Sequence, residues 1–63
     1  MKITYDKEAK ALYIKLTDAG KIQVQTVQEN DSVNLDYLNT DKSETLVGIE
    51  ILNVEDITFE VKP

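Results

Sequence analysis

Apolar and polar residues alternate along most of this chain, and a period of two marks strands that bury one face. Ile3 and Tyr5 alternate with Lys2 and Thr4 in a short first strand, which the run Asp6-Lys7-Glu8-Ala9-Lys10 ends. Leu12, Ile14 and Leu16 form one face of a second strand, and Ala11, Tyr13 and Lys15 form the other. Thr17-Asp18-Ala19-Gly20 reads as a hairpin turn, with Gly20 supplying the positive φ that closes such loops. Ile22, Val24 and Thr26 continue the core phase in a third strand until Val27 falls out of step, the mark of a bulge or a strand end. Glu29-Asn30-Asp31-Ser32 has turn composition, and Val33, Leu35 and Tyr37 alternate through a fourth strand.

Asn39 to Glu44 is an uninterrupted polar loop. Thr45 to Leu52 follows as a fifth strand, apolar on both sides, which predicts the central position in the sheet. In the tail, Asn53 is a candidate helix cap, with Glu55 and Asp56 suited to the N-terminal end of a helical turn. Ile57, Phe59 and Val61 nevertheless alternate with Thr58, Glu60 and Lys62, so the pattern reads as a turn at 53–56 and a sixth short strand. The expected fold is mainly β: a small twisted antiparallel sheet of five to six strands, meander or half-barrel, forming a single domain over residues 1–63. One face carries Ile3, Tyr5, Leu12, Ile14, Leu16, Ile22, Val24, Leu35, Tyr37, Val47, Ile49 and Ile51, with Ile14, Leu35 and Ile49 expected to be buried. The other carries a smaller apolar set, Ala11, Tyr13, Val27, Leu46 and Leu52.

Composition narrows the chemistry. A 63-residue chain is near the lower limit for a core that folds without staples, and with no Cys it has no disulfide to help. No Cys and no His also remove thiolate and imidazole metal ligation, the cysteine nucleophile and the commonest general base. Net charge is −5 and all seven cations are Lys, which disfavours nucleic acid and anionic membranes and suits a basic protein partner or plain solubility. The start, Met1-Lys2-Ile3-Thr4-Tyr5-Asp6, has no apolar targeting segment, and the run Leu46 to Leu52 is far too short to span a bilayer, so a cytoplasmic protein is expected.

Carboxylates are the one chemistry-bearing type present in numbers. Asp6, Glu8, Asp36 and Glu50 are weak candidates for an oxygen-only Ca²⁺ or Mg²⁺ site, should their strands be neighbours. Turn formation and solvated strand positions explain them better, since Asp36 and Glu50 alternate with core residues. Ser32 and Ser43 lack a His or a glycine-rich elbow, and Tyr5, Tyr13 and Tyr37 read as packing rather than as a base-stacking platform, because no basic groove accompanies them. Gly48, inside the central strand, implies a bulge or a close approach that makes room for Tyr13 across the sheet. No catalytic residue and no cofactor is assigned.

Two stretches carry a resemblance. Tyr5-Asp6-Lys7-Glu8-Ala9-Lys10-Ala11-Leu12-Tyr13-Ile14-Lys15-Leu16 resembles the opening motif of the YuzE-like domains of unknown function. Val33-Asn34-Leu35-Asp36-Tyr37 followed by Leu46-Val47-Gly48-Ile49-Glu50-Ile51-Leu52 resembles that family's second half. Lys10 stands where such proteins commonly carry an acid. The resemblance implies a class of domain without assigned chemistry, some members of which are suggested to act as antitoxins beside small toxin-like partners. The expected function is therefore a non-enzymatic interaction module. Its second apolar face, with Tyr13, Leu46 and Leu52, would serve a homodimer or a different protein partner, with a basic protein favoured by the charge. The alternative is a small-ligand or divalent-cation binder built on the four carboxylates.

Overall fold

A computed structural model describes residues 1–18, 24–39 and 44–63, with backbone alone at Asn39 and Glu44. Among the described residues five strands form, β1 (Lys2–Asp6), β2 (Ala11–Lys15), β3 (Val24–Asn30), β4 (Val33–Asn39) and β5 (Glu44–Ile51). They make one open antiparallel sheet in the order β1-β2-β5-β4-β3. The fifth strand takes the central place expected of it, with β2 on one flank and β4 on the other, although the register leaves only one of its sides apolar. The order is not a simple meander: β2 and β3 are not neighbours, so the two do not pair as the hairpin expected from the sequence. Ala19, Gly20 and Ile22 themselves lie outside the described residues.

Register defines the two faces, because residues directly paired across antiparallel strands point to the same side. Ile3 pairs with Ile14, Ile14 with Ile49, Ile49 with Leu35 and Leu35 with Val27. This row crosses all five strands and is entirely aliphatic. Beside it run Tyr5, Leu12, Ile51 and Val33. The opposite side presents Thr4, Tyr13, Glu50, Asn34 and Gln28 in one row, and Lys2, Lys15, Gly48, Asp36 and Thr26 in the next. The sheet thus has an apolar face and a polar face.

Two irregularities move residues from the faces that strict alternation assigns them. The β4–β5 register shifts between Asp36, opposite Gly48, and Tyr37, opposite Leu46, leaving Val47 as an extra residue on β5. That bulge returns Leu46 to the apolar face, away from Tyr13. Val47 is 3% exposed, and its carbonyl accepts from the Leu16 N–H at 2.8 Å. On β3, Val27 belongs to the apolar row, whereas Val24 and Thr26, which alternation puts in the core, stand opposite Leu38 and Asp36 on the polar face. As an edge strand exposed at every position, β3 buries nothing that could set its phase. It also runs on to Asn30, so the turn that follows is only Asp31-Ser32.

The tail forms neither a sixth strand nor a helical turn. Asn53 is a left-handed turn residue at φ 62°, a conformation Asn tolerates better than most side chains. Past it, the Val54 N–H donates to the Lys10 carbonyl at 2.9 Å, and the Tyr5 hydroxyl donates to the Val54 carbonyl at 2.6 Å. Lys10, also left-handed at φ 53°, pairs with Glu55 at 3.0 Å. From residue 57 onward the apolar side chains are exposed, Phe59 at 69%. A single layer with so little cover leaves Ile14, Leu35 and Ile49 half-buried, where the sequence predicts them buried. Among the described residues, Val47 is the one buried hydrophobic side chain, and no helix is long and apolar enough to cross a membrane.

Candidate functional site

The polar face carries the most organised set of side chains. Tyr13 on β2 reaches across β5 and donates its hydroxyl to Asp36 Oδ2 on β4 at 2.7 Å. Thr26 on β3 donates to the other carboxylate oxygen of Asp36 at 2.6 Å. Strands two apart in a sheet lie roughly 9.6 Å from each other, a span that a tyrosine covers only by lying flat over the strand between. Gly48 is that point of crossing: a Cβ there would meet the Tyr13 hydroxyl and stand 2.7 Å from its Cζ. The close approach read from the glycine is thus the one observed. Next to it, Asn34 donates its side-chain N–H to Glu50 Oε1 at 2.9 Å.

The electrostatics follow from the geometry. The hydrogen bond to Asp36 is the largest cause holding the Tyr13 phenol protonated, and burial and the charges of Asp36 and Glu50 act in the same sense, pushing its pKa up to about 12. At neutral pH Tyr13 is therefore a fixed donor, and Asp36 receives two donors at once. The set links β2, β4 and β3 by side chains over the central strand.

The four carboxylates named from sequence do not converge. Asp6 accepts the N–H groups of Glu8 and Ala9 at 3.0 and 3.1 Å, shaping the turn between β1 and β2. Asp6 lies level with Ala11, and Asp36 is in the row of Lys15, four residues and about 13 Å further along β2. Asp36 and Glu50 share a face, each with its own donor. Among the described residues no three Asp or Glu side chains are grouped to hold a metal. A surface depression of about 220 Å³, lined by Met1, Lys2, Lys15, Thr17 and Asp18, lies at the end of the sheet where Lys2 pairs with Lys15.

The proposed interaction patch divides in two. Tyr13 is on the polar face and Leu46, opposite Tyr37, is on the apolar one. Leu52 is just past β5, half-buried, its N–H donating to the Ser32 carbonyl at 2.8 Å. Sequence reasoning missed Thr26 and Asn34. Asn34 had a signal, since it faces Glu50 in the polar phase of β4 and β5, whereas Thr26 had none, being assigned to the wrong face.

These features define an open, single-layer β-domain with one apolar and one hydrogen-bonded polar face. The chain belongs to the family described as "Protein of unknown function (DUF2283)", which matches residues 2–54. The match ends at Val54, whose N–H donates to the Lys10 carbonyl in the turn between β1 and β2. No curated protein and no solved structure matches the chain.

Proposed function

We propose that this domain is a non-enzymatic protein-interaction module whose docking surface is the apolar face of its sheet. One observation carries the reading: among the described residues every strand lies in the one sheet, and no second layer of secondary structure covers the aliphatic row Ile3, Ile14, Ile49, Leu35 and Val27. A sheet with one apolar face reaches a stable state by packing that face on another element. The tail is held beside Tyr5 at Val54, and its apolar side chains from Ile57 onward are exposed. Antitoxin-like pairing, which the likeness to YuzE-like domains implies, is one form such a module takes, and the charge of −5 would speed the approach of a basic partner. The divalent-cation reading has no observation in its favour.

A photo-crosslinking residue placed at Val27 or at Gln28 tests this in the living cell. The two positions are adjacent on β3, exposed, and on opposite faces. Discrete protein adducts, to another copy or to another protein, are expected from position 27 and not from position 28. Equal adducts from both, or none from 27, would overturn the reading.

A further inference from the structure

We infer that the occupant of the apolar face is a second copy of this chain, packed face to face about a twofold axis into a two-layer β-sandwich. This rests on the docking surface proposed above and adds the identity of the partner.

Surface area is the first argument. The chain exposes 5258 Å², whereas size scaling gives about 4,100 Å² for a compact monomer of its 7.1 kDa mass. The excess of roughly 1,200 Å² is more than the ~800 Å² per partner that a standard stable interface buries. Part of it belongs to the tail, where Phe59 and Val61 are exposed. The face itself is a patch of roughly 24 by 20 Å, from five strands about 4.8 Å apart and some six residues long, so about 480 Å² in projection before side-chain relief is added, which is the larger part of a standard interface.

Charge is the second. From the pair Val33–Ile51 to the pair Tyr37–Leu46, every residue that register places on the apolar side of β1, β2, β4 and β5 is uncharged, although the chain carries −5 overall; Glu44, paired with Asn39, comes only at the end of this side. Lys2, Asp6, Lys15, Asp36 and Glu50 all fall on the polar side. A basic partner finds no counter-charge in the middle of the apolar face, whereas a second copy brings another uncharged aliphatic surface and keeps Asp6, Asp36 and Glu50 outward. Apposition of the same patch from two copies is the twofold arrangement commonest among soluble oligomers. Sheets packed in this way lie about 10 Å apart with their inner side chains interdigitated.

Sedimentation equilibrium of the full chain over a wide concentration range is the test, with Val27→Glu and Gln28→Glu as variants and circular dichroism to confirm the sheet. Both add one negative charge to exposed, adjacent positions, so both are expected to fold. The wild-type chain and Gln28→Glu should reach twice the monomer mass. Val27→Glu should weaken the dimer at least about tenfold, because it sets like charges at the seam. A wild-type monomer at every concentration would overturn the inference, as would a dimer weakened equally by both variants or by neither, which points to strand-edge or polar-face pairing. The crosslinker at position 27 separates the two levels. A monomer whose position 27 captures a different protein removes the homodimer and leaves the docking surface standing; a monomer without adducts removes both.

Discussion

At the scale of single residues, Gly48 and Tyr13 form one device. Tyr13 lies over the glycine to reach Asp36, so Gly48→Ala should displace the ring and cost about 1–2 kcal/mol in denaturant melts. Asp36→Asn should bring the Tyr13 pKa down from about 12 toward 10, read by the ultraviolet absorbance of the phenolate. The folded state holds this proton more tightly than the unfolded chain does. The stability it contributes is therefore complete below about pH 10 and lost as pH rises toward 12. Asp36→Asn should flatten that alkaline decline. Gly48 was legible as a close approach because a glycine inside a β-branched strand needs a neighbour to explain it. The partner across the strand was legible too, as an aromatic ring in the matching phase. The acceptor was not: Asp36 has the alternation of any solvated strand residue, and only the two-strand reach of tyrosine shows that it is used.

Among the elements, β5 and the tail depart most from a strict period of two. The extra residue Val47 means that β5 before and after it is out of step by one position. Alternation counted straight through it puts Leu46 on the wrong side, and nothing in the run Leu46-Val47-Gly48 tells which residue is supernumerary, since all three are small or apolar. The edge strand β3 failed for another reason, because burial never constrains it. The tail misled through its residue types: Ile57, Phe59 and Val61 prefer strands, yet Asn53 turns the chain left-handed and away from pairing. Truncation after Asp56 should accordingly leave the melting temperature nearly unchanged, within about 0.5 kcal/mol of stability. Truncation after Ile51 removes the bonds of Val54 to Lys10 and Tyr5 and should cost roughly 2 kcal/mol. Thermal melts of the two shortened chains read the difference directly.

For the molecule as a whole, a mainly β single sheet was legible because alternation survives in every strand that has an apolar side to bury. The strand order was not, since β2 and β3 are consecutive in sequence and stand apart in the sheet. Burial of Ile14, Leu35 and Ile49 was over-read, as a sequence shows which side chains share a face and not what lies over that face. If a second copy lies there, raising the chain concentration should raise the melting temperature by mass action. Added Ca²⁺ or Mg²⁺ should leave it unchanged, because Asp6 and Glu8 are remote from Asp36 and Glu50. A metal-dependent rise would revive the cation-binding alternative.

The central strand is also the last to be made. Among the described residues β1 touches β2, β3 touches β4, and the two pairs meet only through β5, at the end of the sheet's sequence. During synthesis the β1–β2 and β3–β4 pairs should therefore emerge first, each marginal in water, and the strand that joins them in the sheet is complete only when residue 51 has emerged. Closing the sheet then waits on contacts distant along the chain, a slow class of folding event. In that interval half-sheets from neighbouring nascent chains can capture each other's fifth strand. A peptide spanning residues 44–54, added in trans to a chain ending at residue 39, should for the same reason recover the sheet that the fragment alone cannot form.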